Sequence, residues 1–147
     1  MKKTNVLKTL VAVATIFVGF TFSQCGISEK DVQKIAKEAN DYMGCPVKVD
    51  FMTMLDSIHA LPGKEIHYHY TLLGYSAEDM DDLISKNEFE KNIRTVLLTL
   101  VNANTKESED IRRSKIILVA DYYDEYGEHY SSVRIGPKEY DINNHNY

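Results

Sequence analysis

The chain has no tryptophan and little proline, glycine or cysteine: 3 Pro, 7 Gly and 2 Cys in 147 residues. So few prolines and glycines exclude collagen-like and low-complexity chains. Basic residues are also scarce, because 17 Lys and Arg face 22 Asp and Glu, for a net charge of -5. Nucleic-acid-binding proteins show a basic surface instead, so we expect no nucleic-acid partner. A hydrophobic share of 44% fits an ordinary folded domain.

The motifs of several enzyme classes are missing as well. The sequence contains no Gly-x-Ser-x-Gly, no glycine-rich phosphate loop and no His-Glu-x-x-His. We therefore expect no cofactor and favour a protein without catalytic activity. An enzyme stays open as an alternative, because the carboxylate pairs of glycosidases come together in space and leave no sequence motif.

The N-terminal segment has the layout of an export signal. Lys2, Lys3 and Lys8 precede an uncharged apolar run from Leu10 to Phe22. That run is too short for a transmembrane helix, which needs about 20 apolar residues, and it suits the core of a signal peptide. We predict a signal peptide over residues 1–23, with cleavage after the small residue Ser23.

Cys25 offers a second way of processing the same segment. Bacterial lipoproteins are cut before a cysteine that follows a small residue, whereas here Gln24 precedes Cys25. Lipidation at Cys25 would anchor the chain to a membrane surface, while cleavage after Ser23 would release it. Both alternatives predict an exported protein, either periplasmic or secreted, or an outer-membrane lipoprotein.

The two cysteines are not expected to form a disulfide with each other. A helix predicted over residues 29–43 separates Cys25 from Cys45 and is about 22 Å long. The few residues before it reach back at most about 14 Å, while a disulfide needs Cα atoms within about 7 Å.

Hydrophobic periodicity predicts one α+β domain over residues 24–142 and a frayed tail at 143–147. Helical spacing marks residues 29–43, 76–84 and 85–103. A polar loop is expected over 104–114, with one helical turn as an alternative. Alternating or continuous apolar runs predict strands at 47–55, 66–72, 115–123 and 128–135. The element order α-β-β-α-β-β and short hairpins predict a two-layer domain, with a four-stranded antiparallel sheet and the helices on one face.

The second predicted strand carries a candidate metal site. His67 and His69 lie on one strand face because side chains repeat every two residues. A two-residue turn at Pro62-Gly63 would place Asp56 opposite His69 and direct His59 to the other face. We therefore predict His67, His69 and Asp56 as candidate ligands. The alternative is a solvated strand face with an Asp–His pair.

Tyrosines near the end of the chain are candidates for a recognition surface. Tyr122, Tyr126 and Tyr130 lie on or between the last two predicted strands. Tyrosine is large and tolerates contact with water, so it is common at binding surfaces. The alternative is a structural role, since tyrosine also favours half-buried strands.

Two stretches of the chain have recognisable patterns. The first is Cys45-Pro46-Val47-Lys48-Val49-Asp50 with Thr53, Leu55-Asp56-Ser57, Tyr68 and Tyr70-Thr71-Leu72; the second is Tyr122-Tyr123-Asp124 with Gly127, Ile135 and Pro137. Together they resemble small bacterial exported proteins and lipoproteins that have no established activity. The signal end, Thr21 to Gln24, is similar to export signals of Bacteroidetes-type bacteria. The resemblance implies an envelope location and an α+β fold, and no particular activity.

These observations favour a non-catalytic binding or interaction module of the bacterial cell envelope, with an unidentified envelope protein or ligand as its partner. The alternative is a small envelope hydrolase or metal-dependent enzyme. In either case we expect the function on the sheet face opposite the helices. Val49, Phe51, Tyr68 and Tyr70 are predicted to face the helices, with His67, His69 and Asp56 on the other side.

Processing of the leader is the first testable prediction. Expressed in a bacterial host, the chain should lose its N-terminal segment, because the basic and apolar layout directs export. Intact mass should match a chain that begins at Gln24, or one that begins at a lipid-bearing Cys25. A full-length chain that retains Met1 in the cytosol would contradict both forms of the prediction.

Overall fold

The computed structural model describes residues 27–140 as one α+β domain. The predicted signal peptide, its cleavage site, Cys25 and the tail at 143–147 lie outside the described residues. The helices are α1 (Glu29–Met43), α2 (Ala77–Leu83), α3 (Lys86–Val101), α4 (Lys106–Arg113) and α5 (Pro137–Tyr140). The strands are β1 (Val47–Lys48), β2 (Thr53–Leu61), β3 (Glu65–Leu72), β4 (Ile117–Tyr123) and β5 (His129–Ile135).

Local capping signals set the ends of the first helix. The Ser28 hydroxyl accepts a hydrogen bond from the backbone N–H of Asp31, and the Asp31 carboxylate accepts one from the backbone N–H of Ser28. This reciprocal pair satisfies N–H groups that the helix itself leaves without partners. Gly44 ends the helix in the left-handed conformation, at φ 67°. The helix predicted over 29–43 is confirmed.

The second helical region divides where the sequence indicated. Ser76 caps α2 and Ser85 caps α3, so the break predicted near Ser85 is confirmed. The polar loop predicted over 104–114 is wrong, because residues 106–113 form α4 with Thr105 as its N-cap. This helix has few apolar residues, and it buries Ser108 and Asp110 beside Ile111, so hydrophobic periodicity did not reveal it.

The sheet has five strands in the order β1-β2-β3-β4-β5, and it is mixed. The predicted four-stranded antiparallel sheet is therefore wrong in strand number and in the direction of one strand pair, while both predicted hairpins are antiparallel as expected. β3 and β4 pair in parallel, because α2, α3 and α4 carry the chain back to the same end of the sheet. The strand predicted over 47–55 is split, since the backbone leaves the ladder after Lys48 and re-enters at Thr53.

One hydrophobic cluster holds the helices on a single face of the sheet. Buried residues of all five helices belong to it, namely Val32, Ala36, Met80, Phe89, Ile93, Leu97, Val101, Ile111 and Tyr140. The sheet contributes alternate residues such as Ile66, Leu118 and Ile135. Within residues 27–140, none of the helices combines the length and hydropathy needed to cross a membrane.

A pair of leucine substitutions tests which sheet face is the core. Leu118 is 0% exposed at the centre of the sheet and Leu61 is 42% exposed at the end of β2. We expect Leu118→Ala to lower the free energy of unfolding by about 2–5 kcal/mol, through lost burial and the cavity left behind. Leu61→Ala, the matched control, should change it by less than about 1 kcal/mol.

Urea denaturation of both variants and of the unsubstituted protein measures these changes. The slope m, which gives the dependence of the unfolding free energy on urea concentration, should be the same in all three. Equal losses in the two variants would contradict the assignment of the helix-covered face.

Candidate metal centre

All four histidines of residues 27–140 lie on the sheet face that the described helices leave uncovered. We call this surface the open face; its histidines are His59 on β2, His67 and His69 on β3, and His129 at the start of β5. Residues next to them in each strand, such as Ile58 and Ile66, enter the core instead. The open face thus follows from the strict alternation of side chains along strands.

The turn between β2 and β3 decides which histidines share this face. Leu61 pairs with Glu65, so the turn consists of three residues, Pro62, Gly63 and Lys64. Gly63 and Lys64 both have positive φ, 89° and 60°, which the tight reversal requires. With this turn His59 lies directly opposite His67, and its imidazole shares the open face.

The predicted register of this hairpin was therefore wrong by one residue next to the turn. Ser57, and not Asp56, lies opposite His69, while His59 lies on the histidine face and not on the opposite one. A bulge between Leu55 and Ser57 absorbs the extra residue, and the predicted pairing of Leu55 with Tyr70 is recovered beyond it. Asp56 instead accepts a hydrogen bond from the Thr71 hydroxyl at 2.7 Å.

The resulting histidine cluster consists of His59, His67 and His69. One ring nitrogen of each lies within 4.8 Å of the corresponding atoms of the other two. The ring centroids of His59 and His69 are 4.6 Å apart, and those of His59 and His67 are 5.5 Å apart. All three side chains are partly exposed, so the cluster is reachable from solvent.

Asp121 on β4 is the carboxylate nearest to the cluster. Parallel pairing places it directly beside His69. Its Oδ2 atom lies 2.7 Å from Nδ1 of His67 and 3.4 Å from Nε2 of His69. The sequence offers Asp121 only as part of a weaker cation candidate with Asp124 and Glu125 at the last turn. It does not place Asp121 beside the histidines, because the prediction assumed four antiparallel strands and gave no register between β3 and β4.

Glu65 holds the other ring nitrogen of His67. Its Oε2 atom lies 3.0 Å from Nε2 of His67, and its Oε1 atom lies 2.5 Å from the Arg134 guanidinium. Ionised carboxylates only accept hydrogen bonds, and a neutral imidazole carries one N–H, so His67 in that form donates to Asp121 or to Glu65 and not to both. The two carboxylates flank the ring and restrict its orientation.

The surroundings of Asp121 and His59 favour the forms of these two side chains that bind metal ions. Burial opposes ionisation of Asp121, but hydrogen bonds from Ser132 and His67 outweigh it, so the pKa of Asp121 lies below its usual value. Burial lowers the pKa of His59, and the neighbouring His69 and His67 lower it further. Ionised carboxylate and neutral imidazole are the ligand forms of these side chains.

Ser132, His129 and Asp121 have the residue types of a catalytic triad, but not its connections. The Ser132 hydroxyl donates to Oδ1 of Asp121 at 2.5 Å and lies 2.8 Å from Nε2 of His129. In a triad the histidine takes the serine proton, and the aspartate holds the other nitrogen of that histidine. Here the serine hydroxyl donates its hydrogen bond to the carboxylate and not to the histidine. No histidine within residues 27–140 is therefore placed to take the serine proton, and the serine is not activated as a nucleophile.

The tyrosine recognition surface predicted from Tyr122, Tyr126 and Tyr130 does not form. Tyr122 and Tyr130 are 2% and 3% exposed and pack against Phe89 in the core. Tyr126 alone is exposed, in the turn between β4 and β5. A ligand could reach Tyr122 or Tyr130 only if the helices moved off the sheet.

The predicted helix-facing set is correct in part. Tyr70 belongs to the buried core, and Tyr68 and Val49 pack against it. Phe51 is 61% exposed, because residues 49–52 leave the ladder between β1 and β2 and lose the alternation of a strand.

A cleft of about 380 Å³ adjoins the cluster between α1 and the outer edge of β2. It is lined by Gln33, Lys37, Asn40, Ser57, Ile58, His59 and Ala60. The Asn40 side chain accepts a hydrogen bond from the backbone N–H of Ile58 at 2.8 Å, which occupies part of this strand edge. His59 therefore lies at the border between the cleft and the open face.

No protein-family model and no curated protein matches the chain. Among solved structures it is similar to a candidate secreted protein from Pseudomonas aeruginosa, with a TM-score of 0.53 and 16% sequence identity. The match covers 75% of this chain and 95% of the other. At this identity the likeness shows the α+β fold alone.

Proposed function

We propose that the chain is an exported binding protein of the bacterial cell envelope that binds a divalent transition metal through His59, His67 and His69. The observation that carries the proposal is the convergence of three imidazoles within 4.8 Å on one sheet face. Imidazole nitrogens suit zinc, copper and nickel, whereas calcium and magnesium prefer oxygen ligands.

The surroundings of the cluster support a metal site over a solvated strand face. Metal-binding histidines commonly donate their second ring nitrogen to a carboxylate, which fixes the ring and makes the free nitrogen more basic. His67 has this arrangement through Glu65, and Arg134 holds Glu65 in turn. His59 lies on β2, and His67 and His69 lie on the adjacent strand β3 of the same hairpin. The three imidazoles can therefore surround one ion with little movement of the backbone.

Export is supported by the sequence and by the structural likeness. The basic leader and the apolar run Leu10 to Phe22 have the layout of a signal peptide. The structurally similar Pseudomonas protein is described as a candidate secreted protein. Release after Ser23 and lipid anchoring at Cys25 both place the domain outside the cytoplasm.

The alternative of a metal-dependent enzyme would use the same cluster. A catalytic zinc has three protein ligands and keeps a fourth position for water or substrate, whereas a structural site is closed by four. The two functions therefore differ in the fourth ligand. We favour binding because the sequence carries none of the catalytic motifs named above, including the His-Glu-x-x-His of zinc-dependent hydrolases.

Zinc titration of the processed protein, without a histidine tag, tests the proposal. Isothermal titration calorimetry should show one site per chain. His59→Ala and the double variant His67→Ala/His69→Ala should weaken zinc binding by more than about 100-fold, since even the loss of an outer-shell contact costs about 10–100-fold.

Asp56→Asn is the matched control, because Asp56 is the ligand expected from the sequence and lies outside the cluster in the structure. It should bind zinc like the unsubstituted protein. An unsubstituted protein that binds no zinc, or that binds it as well as the double histidine variant does, would exclude the metal site.

Zinc affinity should also depend on pH. Neutral imidazole binds metal, so protons compete with zinc as the pH falls below the ordinary histidine pKa of about 6.5. The pKa of His59 is lowered by burial, His69 and His67, so this residue should keep its ligand form to a lower pH than a free histidine. Zinc titrations between pH 8 and pH 5, in steps of about one unit, should show a constant zinc affinity near pH 8 and a falling affinity towards pH 5. Equal affinity at both ends would contradict coordination by imidazole.

A further inference from the structure

We propose that Oδ2 of Asp121 is the fourth ligand of the metal, so that three imidazoles and one carboxylate close the coordination sphere. This inference rests on the proposed function and adds to it the class of site. It assigns the protein to metal capture and retention, and not to metal-dependent hydrolysis.

The position of Asp121 carries the argument. In a tetrahedral site with ligand bonds of about 2.0–2.2 Å, neighbouring ligand atoms lie about 3.3 Å apart. The distance from Oδ2 of Asp121 to Nε2 of His69 is already 3.4 Å. The distance to Nδ1 of His67 is 2.7 Å, a hydrogen bond that has to open by roughly 0.6 Å when a metal ion takes the place of its proton.

Asp121 and His67 each have a second hydrogen-bond partner on the side away from the other. Oδ1 of Asp121 accepts the hydrogen bond of the Ser132 hydroxyl, which directs Oδ2 towards the histidines. Nε2 of His67 is bound by Glu65, which directs Nδ1 towards Asp121. The two remaining atoms of this pair, Oδ2 of Asp121 and Nδ1 of His67, thus face each other between β3 and β4.

The site would draw its ligands from three neighbouring strands. β2 supplies His59, β3 supplies His67 and His69, and β4 supplies Asp121. Asp121 is 7% exposed, so its carboxylate stays within the sheet surface. A buried charge of this kind is stabilised by a cation and by hydrogen bonds, and a metal ion would supply the cation. Four protein ligands leave no position for a reacting water.

Loading cobalt(II) in place of zinc into the processed protein without mutations tests whether four protein ligands surround the metal. The visible absorption of bound cobalt reports its coordination number, and azide adds to a cobalt ion that has an open position. We expect an intense four-coordinate spectrum that azide leaves unchanged. A spectrum that azide shifts would overturn the closed site while leaving the three-histidine site in place.

Substitution of the carboxylate supplies a second measurement. Asp121→Asn should weaken zinc binding by more than about 100-fold, as loss of a histidine ligand does, and Ser132→Ala by about 10-fold through looser positioning of Asp121. Asp82→Asn, which removes one exposed carboxylate from α2, is the matched control for charge and should bind like the unsubstituted protein.

The outcomes separate the two proposals. Unchanged zinc affinity in Asp121→Asn, together with tight binding by the unsubstituted protein, would refute the fourth ligand alone. Absence of zinc and cobalt binding by the unsubstituted protein would refute the proposed function as well. If circular dichroism shows that Asp121→Asn does not fold, the azide experiment on the unsubstituted protein still decides whether the site is closed.

Discussion

The register of the β2–β3 hairpin is the constraint on which the candidate site depends. Side chains alternate with a period of two, so a slip of one residue moves a whole set to the other face. The three-residue turn at Pro62-Gly63-Lys64 places His59 opposite His67, and the bulge after Leu55 restores the pairing of the buried residues beyond it. One hairpin therefore buries its apolar side chains in the core on one face and brings three imidazoles together on the other.

The one-sided arrangement of the helices makes that second face available. All five helices contribute buried residues to the same cluster as the sheet, which is the usual way a two-layer domain buries one face of each element. The open face then carries polar side chains that bond to one another across the strands. The network runs from Arg134 through Glu65, His67 and Asp121 to Ser132, so the carboxylates on this face have partners.

The same network gives the proposed function its chemical basis. In the structure Oδ2 of Asp121 lies 2.7 Å from Nδ1 of His67, and the neighbouring imidazoles lie a few ångströms away. Three paired strands fix the backbone positions of these residues, so a cation could enter between them through side-chain rotations alone. Binding, retention and any catalysis differ mainly in how many protein atoms surround the ion.

Sequence patterns alone determined the elements with strong local signals. Ser28 and Asp31 predicted where α1 begins, Ser85 predicted the break between α2 and α3, and the alternation in β3 placed His67 and His69 on one face. The tertiary structure decided the rest. The parallel pairing that brings Asp121 to His69 depends on how the helices cross over the core. The inclusion of His59 and the exclusion of Asp56 depend on a turn length and a bulge. Neither is visible in periodicity. A slip of one residue in the hairpin leaves the alternating pattern of each strand unchanged, and the pairing of β3 with β4 joins residues far apart in the chain.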